Sequence, residues 1–425
     1  MKDTQNIYVE TYGCSLNRAD SNTMMYLANS RGHNIVAREN DANIIVINTC
    51  TVRRDTDEKI IERIIRLRRK FTNTKFIIAG CLVSAQPYTI ARILDGSSYS
   101  LLSTHMIAEI NDAILKDIKT VKFHRNKIFE IQKSAIVIIP VADGCTGMCS
   151  FCITRIARPS LNSYPIEYIV DKVKKAIRNG AREIQLTSQD LGAYGLDRYG
   201  RYMLPSLIDA LINIPGDYMI RLGMMNPEHL LNIVDSIIDS LKNQHIYKFL
   251  HIPLQSGSNH VLKIMNRRYT VEDFIYLVKY IRKKIEDIMI ATDIIVGHPG
   301  ERENDFEETI NVLKELEIER IHIAQYTPRP RTLSYMLPQV SPSVRKKRLK
   351  RILKIIEEIG YKTHSRFIGK RVKALVTEVG TNDTIIARTQ SYYPIVINTK
   401  IPLGKWIYVN IVDATYYDLR GIITS

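Results

Sequence analysis

Apolar residues recur along this chain in three different rhythms. In the first 125 residues, short apolar runs at 7–12, 43–48 and 75–79 are separated by helical stretches. One of these, residues 59–70, places Ile60, Ile61, Ile64, Ile65 and Leu67 at helical spacing. β-rich runs alternating with helices predict a parallel sheet covered on both faces. Residues 83–133 complete this unit and carry no chemical motif. From about residue 134 a second series begins, with runs at 135–141, 183–187, 218–224, 248–252, 289–296 and 320–325. Ile166, Ile169, Val170, Val173 and Ile177 form one helical stripe between the first two runs, opened by Pro165 and closed by Asn179-Gly180. Six such units predict a partial barrel; a complete eight-unit barrel takes about 250 residues, somewhat more than this region offers. Residues 341–365 read as a helix with apolar Ile355, Ile356 and Ile359 and a dense basic side running from Arg345 to Lys354. Beyond 366, runs at 372–379, 384–389, 396–398, 405–411 and 419–423 lie between turn signals such as Thr381-Asn-Asp. They predict a small all-β barrel.

The expected fold class is therefore α/β. An N-terminal open parallel-sheet domain (1–125) precedes a central partial (β/α)6 barrel with a basic C-terminal helix (134–365), and a small all-β barrel (366–425) follows.

In parallel sheets, ligands collect at the carboxyl ends of the strands, and the reactive residues of this chain fall there. Cys14, Cys50 and Cys81 each follow a strand of the first domain. A single cysteine in such a place is usually a small buried hydrophobe; three in one domain are expected to converge. After the first barrel strand comes Cys145-Thr-Gly-Met-Cys149-Ser-Phe-Cys152, spaced C-x3-C-x2-C. Three thiolates on one loop can hold three irons of a 4Fe–4S cluster and leave the fourth iron open to a small molecule. Two other readings stand beside this: three unrelated buried cysteines, or a zinc site completed by a distant ligand, His124 and His251 both being far away in sequence. Further strand ends carry Gln189-Asp190, His251 to Gln255, and Asp293; for Asp190 and Asp293 the competing role is helix capping.

Composition adds two points. All six cysteines lie in the first 152 residues, which suits metal ligation in a reducing compartment better than a disulfide framework. A net charge of +16 points to a polyanionic partner, most simply nucleic acid, although a general lysine bias would give the same excess. No signal-peptide core or membrane-length apolar run is evident, so a cytoplasmic protein without a membrane partner is expected.

Longer motifs sharpen this picture. Thr11-Tyr-Gly-Cys14-Ser-Leu-Asn17-Arg-Ala-Asp20-Ser21, Asn48-Thr-Cys50-Thr-Val52 and Ala79-Gly-Cys81 resemble the three N-terminal motifs of the methylthiotransferases, and the 145–152 loop resembles the cluster motif of radical S-adenosylmethionine (radical SAM) enzymes. The resemblance covers essentially the whole chain. It implies an auxiliary-cluster domain, a radical SAM barrel and a TRAM RNA-binding domain. It also implies two 4Fe–4S clusters, one on Cys145, Cys149 and Cys152 that cleaves SAM and one on Cys14, Cys50 and Cys81 that carries sulfur. Gln189, Asp190, His251, Gln255 and Asp293 are the implied SAM contacts, Asp190 for the ammonium group and Asp293 for the ribose hydroxyls. Partners would be tRNA, through its anticodon stem-loop, and a low-potential electron donor of ferredoxin or flavodoxin type. Residues 152–164 most resemble the branch that acts on carbon two of N6-threonylcarbamoyladenosine beside the anticodon. Branches acting on isopentenyladenosine or on a ribosomal-protein aspartate are alternatives, as is a non-catalytic RNA-binding protein with zinc. Arg155, Arg158, Arg329, Arg331, Arg345, Arg348, Lys373 and Lys405 are the expected RNA contacts, with Tyr392, Tyr393 and Trp406 as aromatic partners; Trp406 reads equally as a core anchor of its barrel. Three departures from the family pattern stand out: His298 for phenylalanine, and Arg331 and Pro159 where glycine is common.

Overall fold

The computed structural model describes residues 4–122 and 128–424, so His124 and the expected boundary near 125 lie outside the described residues. The first domain is a parallel sheet of β1 (Asn6–Thr11), β2 (Asn34–Val36), β3 (Ile44–Thr49), β4 (Lys75–Gly80) and β5 (Tyr99–Leu102) in the order β2-β1-β3-β4-β5. Successive side chains of β3 and β4 point to opposite faces. Ile45, Ile47, Phe76 and Ile78 pack with Ile60, Ile64 and Leu67 of the helix Arg54–Lys70, while Ile44, Val46, Ile77 and Ala79 pack with Met24, Ala28 and Ile110. Each fully buried isoleucine contributes about 2 kcal/mol, which explains why β3, buried at every position, occupies the centre. The edge strands β2 and β5 were not expected; one has three residues and the other four, too few to show a period.

The second domain contains β6 (Ile136–Pro140), a short antiparallel pair β7 (Ala142–Asp143) and β8 (Asn162–Ser163), then β9 (Glu183–Thr187), β10 (Met219–Arg221), β11 (Phe249–His251), β12 (Met289–Val296) and β13 (Arg320–Gln325). β6-β9-β10 and β11-β12-β13 are parallel ladders, and the bridges Ile220–Ile246 and Met224–His251 join them. The result is the expected six-stranded open barrel with β6 and β13 at its two edges. The helix Ser15–Asn29 of the first domain lies against β6.

The third domain closes β14 (Arg371–Val379), β15 (Ile385–Thr389), β16 (Pro394–Ile397), β17 (Trp406–Ala414) and β18 (Leu419–Thr424) into a barrel in the order β14-β15-β16-β18-β17. It shares one core with the starts of the central strands: Met219, Phe249 and Met289 pack with Tyr392, Tyr393 and Ile395. The hydroxyls of Tyr247 and Tyr392 donate to Glu183 at 3.0 and 3.1 Å. Tyr392 and Tyr393 are buried, so neither is offered to an RNA base as expected. Trp406 is only partly buried and donates to Asp217 at 3.2 Å, so the core anchor of the barrel is Tyr393 instead.

The long helix Pro342–Ser365 is capped by Ser341, carries proline in its first turn, and buries Ile352, Ile355, Ile356 and Ile359. No described helix is long and apolar enough to cross a membrane. Near its end, His364 is buried with Nδ1 bonded to the Gly360 carbonyl at 2.7 Å. Burial lowers its pKa to about 4. The unfolded chain takes up a proton near pH 6.5 and the folded chain only near 4, so this contribution to stability is full above 6.5 and is lost as pH falls toward 4. His364→Phe is expected to lessen the drop in unfolding free energy between pH 7 and pH 5 by about 2 kcal/mol, measured by urea titration at each pH. An unchanged drop would show that His364 is not held neutral.

Candidate active site

The cysteine loop 145–152 follows β6 and β7 and is held from three sides. Gly144 precedes it at φ +79°, and a Cβ there would lie 1.8 Å from the Ser160 carbonyl oxygen, so only glycine fits. The Gly144 N–H donates to Gln189 Oε1 at 2.7 Å, so Gln189 fixes the entry of the loop from the end of β9. Ser150 donates through its N–H to the Met265 carbonyl at 3.0 Å and through its hydroxyl to the Ile264 carbonyl at 2.8 Å. The Ser334 hydroxyl bonds both Ser150 Oγ and His298 Nε2, each at 2.8 Å. His298 is fully buried and burial lowers its pKa to about 4, so it braces Ser334 as a neutral ring.

The sulfur atoms themselves meet hydrogen-bond donors. The Gly147 N–H points to Cys145 Sγ at 3.2 Å, and the Arg267 guanidinium donates to Cys149 Sγ at 3.0 Å. Burial pushes the Cys145 thiol up to about 12, with Asp190 and the other two cysteines adding to the rise. Such thiols become thiolates when a bound cation replaces the proton. Three of them on one loop, already receiving N–H donors, fit a cluster that leaves one iron open. Arg267 was not expected from the sequence; it follows a helix that carries no motif.

The second cysteine set converges as its strand-end placement predicted. Cys14 precedes the helix Ser15–Asn29, Cys50 follows β3, and Cys81 begins the helix Cys81–Ala85 after β4. Asn17 ties the three ends together. Its amide donates to the carbonyls of Tyr12 and Thr49, both at 2.9 Å, and Cys81 Sγ donates to its Oδ1 at 3.6 Å. A Cβ on Gly13 (φ +110°) would lie 2.8 Å from Cys50 Cβ, so the Cys14 loop sits directly against Cys50. Burial raises the Cys81 thiol to about 12; Arg158 opposes that rise, and Cys14 and Cys50 reinforce it. The chain has six cysteines, three at each site, so each set lacks the fourth sulfur of a closed structural metal site.

A cleft of about 270 Å³ is lined by Phe151 and Cys152 of the cysteine loop, by Val52 and Arg53 just past Cys50, and by Gln255 and Asp293. Gln255 is buried at φ +68°, a left-handed conformation costly for a non-glycine residue, and its Oε1 has no protein partner. Ser188 Oγ, at the end of β9, is likewise buried and unpaired. Buried polar atoms in that state call for a ligand. Burial tends to raise the Asp293 pKa, but the 3.1 Å contact from His251 Nε2 and the nearby His322 hold it below the ordinary value. Asp190 takes the capping role rather than that of an ammonium contact. It is fully buried, with Oδ1 accepting from the Gly192 and Asn226 N–H groups at 3.1 Å and Oδ2 from the Asn226 side chain at 2.6 Å. It caps the turn Leu191–Ala193 and anchors the loop after β10, so it is not presented to an ammonium group. The partner Asn226 was missed, although Asn226-Pro227 after a strand is a turn signal.

Several expected RNA contacts are also internal. Arg158 is 1% exposed and pairs with Asp20 of the first domain and Asp143 of the second. Arg329, equally enclosed, pairs with Asp57 and donates to Thr51 Oγ1 at 2.7 Å. Arg348 lies between Glu301 and Glu303 at 2.7 and 3.0 Å. Arg345 is half-buried and donates to the Tyr326 carbonyl. In each case an acceptor within the protein takes up the arginine. Arg155 and Arg331, by contrast, share a cavity of about 350 Å³ on the flank of the cysteine loop, and Lys373 and Lys405 are exposed. Arg331 takes φ +67°, so it keeps the left-handed turn that glycine would supply, at a cost of about 1 kcal/mol, and it donates to the Ala85 carbonyl at 3.1 Å. Pro159 is exposed; nothing in the structure explains the loss of glycine there.

A profile described as the radical SAM superfamily matches residues 139–313, one described as uncharacterized protein family UPF0004 matches 6–99, and one described as the TRAM domain matches 365–424. The chain is 36% identical over 432 residues to an Archaeoglobus fulgidus protein named "Probable threonylcarbamoyladenosine tRNA methylthiotransferase", covering 99% of both chains. It is 33% identical to the human "Threonylcarbamoyladenosine tRNA methylthiotransferase", covering 98% of this chain and 74% of the human one. The chain belongs to the threonylcarbamoyladenosine tRNA methylthiotransferase family.

Among solved structures, TsrM of Kitasatospora setae, a radical S-adenosylmethionine methyltransferase, aligns with a TM-score of 0.58 at 12% identity, covering 79% of this chain and 77% of that one. The cobalamin-dependent radical enzyme OxsB aligns with a TM-score of 0.54 at 11% identity, covering 83% of this chain and 56% of that one. At those identities the likeness concerns the fold alone. Within this methylthiotransferase fold, the Arg329–Asp57 pair spans the first and second domains. Arg329→Met is expected to cost about 3–5 kcal/mol, because Asp57 would be left buried without its cation. Asp57→Asn in the same chain should recover part of that loss. Equal unfolding free energies for wild type and Arg329→Met would exclude this role.

Proposed function

We propose that this chain is a tRNA methylthiotransferase that inserts a methylthio group at carbon two of N6-threonylcarbamoyladenosine beside the anticodon. The observation that carries the reading is the pair of three-cysteine sets, with Cys152 of one and Val52, two residues past Cys50 of the other, lining one cleft. Cys145, Cys149 and Cys152 would hold a 4Fe–4S cluster that binds SAM, and Cys14, Cys50 and Cys81 a second one that carries the sulfur. When bound, SAM and the clusters supply the radical that breaks an unreactive aromatic C–H bond and the sulfur and methyl groups that replace the hydrogen. Within the cleft, Gln255 offers an unpaired amide oxygen, and Asp293, kept ionised by His251, offers acceptors to hydroxyl groups. Gln189 and Arg267 hold the cluster loop. Phe151 and Val52 give the cleft an apolar lining beside Cys152. Electrons would come from a low-potential donor of ferredoxin or flavodoxin type.

Anaerobically purified protein should contain about eight irons per chain. Incubation with SAM, a reductant and tRNA should add a methylthio mass to threonylcarbamoyladenosine. Cys50→Ala is expected to lower iron to about four per chain and abolish methylthiolation, while 5′-deoxyadenosine still forms. Unchanged product from that variant would refute the auxiliary role, and zinc without iron would refute the enzyme.

The exposed basic residues carry a separate expectation. Lys373→Ala or Lys405→Ala should each reduce the slope of log affinity for tRNA against log salt by about one. Arg348→Met should leave that slope unchanged because Arg348 is already paired inside the protein. Equal slopes for all the variants would remove the third domain from the RNA interface.

A further inference from the structure

Beneath the cleft, inside the central barrel, lies a second cavity of about 400 Å³. Arg221 and Arg320 enter it from β10 and β13, Arg18 from the first domain and Arg388 from the third. Among the described residues, the only carboxylate lining it is Glu378, already paired with Arg388. Arg221 lies over the rings of Phe249 and Tyr392, 5.1 and 5.5 Å from their centroids. Arg320 lies over Tyr417 at 3.9 Å and donates to the Tyr417 carbonyl at 3.2 Å. Neither Arg221 nor Arg320 has a carboxylate partner among the described residues. Glu183, at the start of β9, accepts from Tyr247 and Tyr392 instead.

Guanidinium groups seated over aromatic rings and without an anion are preorganised for a carboxylate, which they can bind through two parallel hydrogen bonds. The cavity shares a wall with the cleft above it. His322 lines both spaces, and Ser15, the residue after Cys14, lines the lower one. An adenine that presents carbon two to the cleft directs its N6 substituent away from that position.

We propose that this arginine-lined lumen is the subsite for the carboxylate of the N6-threonylcarbamoyl group, with Arg221 and Arg320 as its specificity-determining contacts. This rests on the substrate reading above. The same lumen is hostile to an isopentenyl group, because an apolar chain would strip water from the guanidiniums and return no hydrogen bond.

The test uses the holoenzyme and anticodon stem-loop RNAs carrying threonylcarbamoyladenosine, its carboxylate methyl ester, or unmodified adenosine, with Kd read by fluorescence anisotropy and KM from product formation. Wild type is expected to bind the free acid about tenfold more tightly than the ester, the loss expected for a charge-assisted hydrogen bond. Arg221→Gln and Arg320→Gln should each bring that ratio toward one, and Arg221→Lys should keep part of it. The proposal is overturned if wild type binds acid and ester equally. It is also overturned if the glutamine variants keep the ratio while all three RNAs weaken alike, which would assign the arginines to backbone phosphate. If a variant does not fold, the wild-type comparison of acid with ester still decides. Methylthiolation of isopentenyladenosine with no product from threonylcarbamoyladenosine would instead sink the substrate reading itself.

Discussion

Two three-cysteine sets lie on separate domains, and two buried arginines fix one domain against the other. Arg158 reaches from the segment after the cysteine loop to Asp20 on the helix that Cys14 begins, and lies close enough to Cys81 to oppose the rise in its pKa. Arg329 reaches from beyond β13 to Asp57 and Thr51, just past Cys50. Each guanidinium is enclosed, so any shift of one domain on the other strands a charge in a medium that cannot solvate it. Breaking such a pair costs far more than the pair itself contributes. That asymmetry makes the ion pairs a registration device: they restrict where the first domain can sit, and therefore how far apart the two sets of thiols stand.

The opposite end of the central barrel is sealed by apolar contact. Met219, Phe249 and Met289 at the strand starts share a core with the third domain through Tyr392 and Tyr393. The small barrel is thus packed under the catalytic one, and Arg388 and Tyr392 become walls of the lumen. The long helix Pro342–Ser365 is drawn in the same way. Its expected phosphate-binding side is partly consumed by acidic residues around the helix Glu303–Leu316: Arg348 and Arg351 pair with Glu301, Glu303 and Glu307, and Lys346, Lys347, Lys350 and Lys354 remain exposed.

Much of this was legible in the chain itself. The six barrel strands, the three central strands of the first sheet and the five strands of the last barrel follow from apolar runs and turn residues, because burying such runs dominates local choice. The convergence of Cys14, Cys50 and Cys81 follows from their shared position after parallel strands. The edge strands β2 and β5 were not legible, since three or four residues carry no measurable period. For Asp190 the sequence leaves both an ammonium contact and a cap open, and its neighbours in space, Asn226 and Gly192, select the cap.

The sequence by itself thus determined the elements, the two sets of three thiols and the family to which the chain is related, because spacing along the backbone controls local geometry and motif alike. The tertiary structure alone decided which arginines are free. Arg158, Arg329 and Arg348 look the same in sequence as Arg155, Arg221 and Arg331. Whether a guanidinium meets a carboxylate, an aromatic ring or solvent depends on residues tens to hundreds of positions away, and the cost of burying an unpaired charge enforces the outcome.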